Sequence, residues 1–282
     1  MSRVWITSDC TCDMSRTLLE KYDVEVIHFY ISTDRGCFRD RVEMTANNVV
    51  EYFDNGGQRI STAAPAVSEY ADFFERVLQK HNEIIHIVIG SSLSMSYENA
   101  VNASKQFNGK VHVLDSGHLS TGIAHLVIRA VEMAKDGKDS SVIMDTVEKM
   151  KQKVSTTFIA DNADYLYRTG RVSKSVKNIC STLRIHPVLC MKEGNMVLKS
   201  VRIGDYENAV LRYVRSELKK TKGIKKDRVF ITYSTCPVRI LSKVREQVKM
   251  CCSFDEIWET KASATITSNC GANTVGVLFV RE

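Results

Sequence analysis

The stretch EIIHIVIGSSLSMSYENA, residues 83–100, changes its pattern at Gly90. Residues 83–89 form an apolar run rich in isoleucine and valine, which predicts a strand that ends there. Residues 93–107 follow a helical spacing, and serines crowd the turn before them, where a helix needs side-chain caps. The stretch therefore predicts a strand that passes through a serine-rich turn into a helix.

This serine-rich turn is open to two interpretations. The first amides of a helix have no intrahelical partners and lie at the positive end of its dipole, so the turn can hold a carboxylate or a phosphate. Serine hydroxyls would add hydrogen bonds to such an anion. The same serines can equally serve only as caps of the helix.

The first half of the chain repeats this alternation of strand and helix. Candidate strands are 4–9, 24–31, 83–90 and 110–115, and candidate helices are 14–22, 45–54, 67–81, 93–107 and 120–136. The alternation is typical of an α/β fold in which helices cover both faces of a parallel sheet. The helix over 121–136 is apolar around much of its circumference and is therefore either core or the wall of a cavity.

A domain boundary is predicted near residue 154. Residues 1–154 form the α/β domain with the parallel sheet. Residues 155–282 are predicted as an α+β domain with a mixed sheet, because strands and helices no longer alternate there. Within this second part, two apolar runs joined across Glu193-Gly194-Asn195 predict a β-hairpin.

The composition is that of an ordinary soluble globular protein. The 282 residues are 44% hydrophobic and 26% charged, with a net charge of +6, and the sequence shows no secretory signal or membrane-spanning run. Nine cysteines without a CxxC pair favour reduced cytoplasmic thiols, and the seven histidines are scattered singly, so we expect no metal. The sequence shows no dinucleotide-binding or Walker motif, and we expect no cofactor. The basic residues lack a nucleic-acid-reading motif, which argues against nucleic acid as a partner.

Other polar motifs follow predicted strands, where α/β proteins hold their ligands. Asp9 and Asp13 in SDCTCD can bind a metal or act as acid and base, and they also fit as turn and cap residues. Thr62 in STAAPAVS presents a hydroxyl, and Arg171 in YRTGRVSK presents a guanidinium suited to a carboxylate or phosphate, or is a plain surface arginine. The segment SNCGANTVG, residues 268–276, is a polar loop between strands. Together these groups indicate anion binding, and no known catalytic motif is present.

The order of these motifs resembles the DegV family from Ile6 to Phe279. TSDCTCD is similar to the family's TDSTAD, RDRVEMT to YRDGVDIS, STAAP to TSQP and SSLSMSY to SSLSGTY. LDSGHLSTG is similar to IDSKSVSMG, YLYRTGRVSK to YLKKGGRISK, RIHPVL to NIKPIL and SNCGANTVG to HTGPGALG. Each motif alone is weak, but their common order is specific.

The resemblance implies a fold, a ligand and a partner. Family members are two-domain α/β proteins that enclose one long-chain fatty acid between the domains and serve as the binding subunit of a bacterial fatty acid kinase. A separate ATP-binding subunit phosphorylates the carboxyl group, which gives an acyl phosphate for phospholipid synthesis. A transient contact with a membrane fits this role.

The resemblance also implies site residues. By motif position, Thr62 and Ser94 hydrogen-bond the carboxylate, and Arg171 faces the phosphorylated head group or the kinase. The helix that starts near Ser120 lines the acyl tunnel. The chain is then a lipid-binding subunit without catalytic residues of its own.

This chain departs from the family at several ligand-binding positions. Met95 replaces a glycine beside Ser94. If the backbone at this position needs a positive φ, methionine requires a different turn; if the backbone is helical, methionine adds a flexible apolar side chain near the tunnel mouth. Asn269 replaces a histidine, Gly271-Ala272-Asn273 replaces Gly-Pro-Gly, and His186 replaces a lysine. Lipid binding tolerates such changes better than phosphoryl transfer, because a tunnel needs only volume and a polar mouth.

Two other classes of function stay open. One is a self-sufficient hydrolase or phosphatase that uses Asp9 or Asp13, which would show activity without a second protein. The other is a signalling or interaction protein in which the lipid only fills the structure, which would exchange lipid slowly or not at all.

Overall fold

The computed structural model describes residues 4–170, 173–175, 177–178, 184–219 and 223–282. It divides into two compact units. The first contains the described residues within 1–44, 60–154 and 193–195, and the second those within 45–59, 155–192 and 196–282. The second unit thus includes residues 45–59, which a single boundary near residue 154 would assign to the first unit.

The elements are numbered along the chain through both units. The strands are β1 (Val4–Asp9), β2 (Glu25–Ile27), β3 (Tyr30–Thr33), β4 (Gly36–Arg39), β5 (Ser61–Ala63), β6 (Glu83–Val88), β7 (Val111–Asp115), β8 (Val154–Ile159), β9 (Ile185–Lys192), β10 (Asn195–Ile203), β11 (Ile224–Tyr233), β12 (Glu256–Lys261) and β13 (Val275–Arg281). The helices are α1 (Arg16–Tyr22), α2 (Ala46–Asp54), α3 (Val67–Leu78), α4 (Ser96–Ser104), α5 (Thr121–Lys135), α6 (Ser140–Lys151), α7 (Asp164–Arg168), α8 (Tyr206–Leu218), α9 (Val238–Cys251) and α10 (Ala264–Cys270).

The first unit contains the predicted parallel sheet, in the order β2-β1-β6-β7. Ser8 lies opposite Ile87, and Val88 lies opposite Asp115. The carboxyl ends of β1, β6 and β7 therefore meet at one edge of the sheet. A smaller antiparallel sheet has the order β4-β3-β5.

The buried residues of α3 explain why it forms a helix that packs against the parallel sheet. Its side chains at Tyr70, Phe73, Phe74 and Val77 are buried, which is the i, i+3, i+4, i+7 spacing of one helix face. They pack in one cluster with Ile84 and Val88 of β6 and with small residues of α4. Each large side chain contributes about 1.5–3 kcal/mol by leaving water, so this face fixes α3 against the sheet.

Helix α5 is buried on nearly all sides, as its composition predicts. It contacts β1, β6, α6 and the short 3-10 helix Cys10–Cys12, all within the first unit. Packing inside this unit therefore buries much of its apolar circumference.

Two sequence predictions differ from the structure. The strand predicted over 24–31 is two strands, β2 and β3, in different sheets. Phe29 interrupts the run because its amide donates to Cys10 Sγ (3.3 Å) while its carbonyl accepts from Asp40 N (2.8 Å), which takes it out of the parallel ladder. The loop predicted over 268–276 is wrong at both ends, because α10 extends to Cys270 and β13 begins at Val275. Helix α10 starts at a Ser263 cap that accepts from Ile266 N.

The second unit holds a mixed sheet in the order β10-β9-β8-β13-β11-β12. Strand β11 runs antiparallel to β13 and parallel to β12, and β8 runs antiparallel to β9. The predicted hairpin joins β9 to β10 through Glu193 and Gly194, which both have positive φ (51° and 77°), as a tight two-residue turn requires.

A buried tyrosine ties this second sheet to α8. Tyr213 is fully buried, and its hydroxyl donates to Thr157 O (2.8 Å) and accepts from Val277 N (2.9 Å). The phenol thus satisfies two backbone groups of the sheet from the helix that covers it. As for membrane spans, none of the helices in the described ranges is both long enough and apolar enough to form one.

Candidate functional site

Two loops come together at the carboxyl edge of the parallel sheet. Gly90, after β6, donates its amide to His118 O (2.8 Å), after β7. A side chain at Gly90 would place its Cβ 3.2 Å from the carbonyl carbon of Gly117, so glycine permits this close approach. Asp115 fixes the same pair of loops, because it accepts from Ser91 N (3.0 Å), Ser91 Oγ (2.6 Å) and Gly117 N (2.9 Å).

Three serines in and after the turn that follows β6 donate their hydroxyl protons to other parts of the first unit. Ser91 donates its hydroxyl to Asp115, and Ser92 donates to Gly194 O within the first unit. Ser96 is buried and donates to Asp9 Oδ2 (3.1 Å). Their protons are therefore engaged in holding the fold.

Ser94 differs from the other serines of this turn. Ser94 is half-buried, its hydroxyl oxygen accepts from Ser96 N (3.2 Å), and among the described residues it has no acceptor for its own proton. The O–H of Ser94 can therefore donate to an added group. A carboxylate or phosphate, which offers acceptors only, suits such a donor.

Met95, beside Ser94, lies on ordinary backbone. Its φ of −72° shows that the residue needs no left-handed conformation, so methionine is accommodated at this position without strain. Its side chain is 57% exposed. The idea that it narrows a cavity stays a prediction.

Thr62 lies at the centre of β5, opposite Ile31 of β3, and is half-buried. Its hydroxyl makes no hydrogen bond to any other residue in the described part of the chain. Three residues later, Pro65 O accepts from Asn99 Nδ2 (2.8 Å) of α4. The structure thus ties the segment of Thr62 to the helix that follows Ser94, within one unit.

Asp9 is buried and serves as a structural brace. Its Oδ1 accepts from the amide (3.1 Å) and the hydroxyl of Thr11, and its Oδ2 accepts from Ile89 N (3.0 Å) and Ser96 Oγ (3.1 Å). Burial raises the pKa of the Asp9 carboxyl, and these hydrogen bonds oppose that rise. The interpretation of Asp9 as a turn and cap residue fits this arrangement, because the carboxylate faces protein donors.

Asp13 and Ser120 form a second buried pair. Ser120 Oγ donates to Asp13 Oδ2 (2.6 Å), and Arg41 Nη1 lies 3.9 Å from Asp13 Oδ1. Ser120, which precedes α5, has φ 54° and ψ −145°, a conformation that only glycine adopts freely. Since its hydroxyl is engaged with Asp13, Ser120 supports the start of α5, and a role of this helix in lining an acyl tunnel stays a prediction.

In the second unit, Asn269 lies in α10 and is half-buried. Its Nδ2 donates to Thr265 O (2.8 Å), one turn earlier. Asn273 has φ 53°, a left-handed conformation that asparagine tolerates. The ring nitrogens of His186 lie 2.5 Å from Asp161 O and 2.9 Å from Gly204 O, so this residue links two backbone segments.

The remaining sequence predictions concern Arg171, metal ligands and the cysteines. Arg171 lies outside the residues that the structure describes. In the described ranges there is no group of three or more histidine, cysteine, aspartate or glutamate side chains arranged to hold a metal ion. The described cysteines carry free thiols.

The local residue pattern did not distinguish Ser94 from its neighbours, and only its position in the family motif singled it out. Only the three-dimensional partners show which hydroxyl proton of the turn is available. The buried chain of Tyr70, Ser96 and Asp9 also went unrecognised, although the spacing of a tyrosine on the inner face of an amphipathic helix is a signal for a buried phenol that needs a partner. What the arrangement offers chemically is two hydroxyl donors, Ser94 and Thr62, in one unit.

Comparisons with known proteins agree on one family. The model of the DegV family of uncharacterised proteins matches residues 3–282. A DegV domain-containing protein of Staphylococcus aureus (strain COL) is 23% identical over 100% of both chains. A structure described as fatty acid binding of a DegV family protein from Thermus thermophilus covers 99% of this chain and 100% of its own, with TM-score 0.90 and 23% identity. A DegV family protein from Eubacterium eligens, solved loaded with heptadecanoic acid, covers 99% and 100%, with TM-score 0.86 and 18% identity. With the family model spanning nearly the whole sequence and the fold shared throughout, this chain belongs to the DegV family.

Proposed function

We propose that this chain binds one long-chain fatty acid and holds its carboxylate with the hydroxyls of Thr62 and Ser94. Membership of the family supports the ligand class, since relatives of the same fold are described as binding fatty acids. The observation that carries the assignment is the hydroxyl of Ser94, which accepts a backbone amide and keeps its own proton to donate.

The physical balance favours such a ligand. Burying an acyl chain of about 16 carbons at about 0.8 kcal/mol per methylene gives ~12 kcal/mol before the costs of ordering the chain and the protein. The carboxylate then needs donors, because an unpaired charge beside an apolar chain is costly. Two hydroxyl donors meet part of this need, and each hydrogen bond to a charged group contributes about 1.5–3 kcal/mol.

Removal of either hydroxyl tests this assignment. Thr62→Val and Ser94→Ala should each weaken the binding of heptadecanoic acid by about 1–3 kcal/mol, and the binding of heptadecan-1-ol by less. Calorimetric titration of both ligands gives the comparison. Ser92→Ala is the control in the same turn, because the Ser92 hydroxyl donates to Gly194 O, and it should leave the preference for acid over alcohol unchanged. Equal losses for acid and alcohol in Thr62→Val and Ser94→Ala would contradict the assignment.

The proposed role extends to phosphoryl transfer by a partner. A carboxylate oxygen of the bound acid would attack the γ-phosphorus of ATP on a separate kinase subunit, with ADP as the leaving group and an acyl phosphate as the product. The chain itself would supply binding and orientation, and the product would enter phospholipid synthesis. Because the reaction uses ATP, it belongs to the cytoplasm.

The partner step has its own test. A mixture of the loaded protein, a cognate ATP-binding kinase subunit and ATP should form an acyl phosphate, which hydroxylamine traps as a hydroxamate. The loaded protein with ATP alone should form none. Hydroxamate formation without a second protein would instead support a self-sufficient enzyme.

A further inference from the structure

A buried polar chain lies directly beneath the turn that carries Ser94. The phenol oxygen of Tyr70, in α3, lies 2.7 Å from Ser96 Oγ, and Ser96 Oγ lies 3.1 Å from Asp9 Oδ2. All three side chains are fully buried. None of the three is among the residues assigned above to the ligand.

The direction of these hydrogen bonds follows from the number of protons. Ser96 has a single hydroxyl proton, which goes to the acceptor-only carboxylate of Asp9. The Ser96 oxygen then accepts the proton of Tyr70. The phenol thus reinforces the serine that binds Asp9, because a hydroxyl that accepts one hydrogen bond donates a stronger one.

Asp9 holds the turn at both of its ends. The same oxygen, Oδ2, accepts from Ile89 N (3.0 Å) just before the turn and from Ser96 Oγ (3.1 Å) just after it. Residues 90–95 are therefore clamped to one buried atom. Ser96 in turn donates its amide to Ser94 Oγ (3.2 Å), which occupies one lone pair of Ser94 and leaves the proton of that hydroxyl to donate.

We infer that Tyr70, Ser96 and Asp9 are positioning residues that orient the hydroxyl of Ser94 toward the carboxylate of a bound fatty acid. This inference rests on the proposed function. The three residues touch no ligand themselves; they act through the backbone and the hydroxyl of Ser94. Their effect should therefore fall on the carboxylate contact and leave the contacts of the acyl chain unchanged.

This role differs measurably from a purely structural one. A network that only stabilises the fold affects all ligands alike, whereas a positioning network changes the preference for acid over alcohol. Tyr70→Phe removes the phenol oxygen and keeps the packed ring. Tyr213→Phe is the matched control, because Tyr213 is equally buried and hydrogen-bonded but belongs to the second unit, where its hydroxyl bonds Thr157 O and Val277 N.

The experiment titrates heptadecanoic acid and heptadecan-1-ol into the full chain and its variants. Tyr70→Phe should weaken binding of the acid about fivefold, the size of one hydrogen bond, and change binding of the alcohol less than about twofold. Tyr213→Phe should lower the melting temperature without changing the ratio of the two affinities. Should Tyr70→Phe not fold, Ser96→Ala makes the same comparison with a smaller change.

A double substitution shows whether the effect passes through Ser94. In the Ser94→Ala background, Tyr70→Phe should have no additional effect on the ratio of acid to alcohol affinity, because the hydroxyl it orients is gone. The inference is overturned if Tyr70→Phe leaves the ratio of acid to alcohol affinity unchanged, or if it changes this ratio equally in the wild-type and Ser94→Ala backgrounds. Either result leaves the proposed function intact as long as the wild-type chain binds the acid. A wild-type chain that binds neither ligand refutes the proposed function, and the inference falls with it.

Discussion

Replacing Ser120 by alanine is expected to destabilise the chain more than replacing it by glycine, the reverse of the usual order. Both substitutions remove the hydrogen bond from Ser120 Oγ to the buried Asp13 carboxylate (2.6 Å). Such a bond to a carboxylate contributes about 1.5–3 kcal/mol. The two variants differ in what happens to the backbone.

Backbone strain decides this order. Ser120 has φ 54° and ψ −145°, where a residue with a Cβ carries about 1–3 kcal/mol of strain. Alanine keeps that strain, whereas glycine releases it and adds about 0.5–1 kcal/mol of chain entropy on folding. We therefore expect Ser120→Ala to lower the free energy of unfolding by about 2 kcal/mol or more, and Ser120→Gly by about 1 kcal/mol less.

Urea denaturation followed by circular dichroism measures both variants. Ser104 provides the control, since it has helical backbone (φ −60°, ψ −26°) and its hydroxyl donates to Val101 O (2.8 Å). There, alanine should be more stable than glycine, as in helices generally. If Ser120→Gly is less stable than Ser120→Ala, the strain assigned to this residue is wrong.

Three further predictions concern other parts of the chain. Met95→Gly should shift preference toward longer or bulkier acyl chains in a competition among fatty acids, and an unchanged ranking would show that the methionine points away from the ligand. Arg171→Ala should preserve lipid binding and reduce acyl-phosphate formation with a kinase subunit; loss of lipid with an intact fold would contradict this role. Burial lowers the pKa of His86 to about 3, so between about pH 6.5 and 3 the unfolded chain binds a proton that the folded chain does not. The stability that this group contributes is therefore complete above pH 6.5 and falls by about 1.4 kcal/mol per pH unit below it. His86→Asn should therefore reduce the loss of unfolding free energy between pH 7 and pH 5. An equal loss in the wild type and the variant would contradict the lowered pKa of His86.

The strand-and-helix alternation made much of the first unit predictable from the sequence. The runs that became β1, β6 and β7 are long and apolar, so period and composition sufficed. The short strands could not be predicted in this way. Strand β5 has three residues, Ser61–Ala63, and its position depends on pairing with β3. Such pairing is a tertiary effect that local propensity does not contain.

The candidate site shows a similar limit. The sequence placed Ser94 and Asp9 in motifs at strand ends, but it could not assign a proton to a particular acceptor. Ser91 and Ser94 are serines of the same turn, but Asp115 engages the hydroxyl proton of Ser91 and no described residue engages that of Ser94. The difference depends on a residue 24 positions away, which a local pattern does not reveal.

The measurement that tests the central proposal most directly is mass spectrometry of an organic extract of the purified protein. The account predicts a long-chain fatty acid in the extract, in an amount close to one molecule per chain. Heptadecanoic acid added to the extracted and refolded chain should bind again. An extract without lipid, together with no binding of added long-chain acids, would contradict the proposal that this chain binds fatty acid.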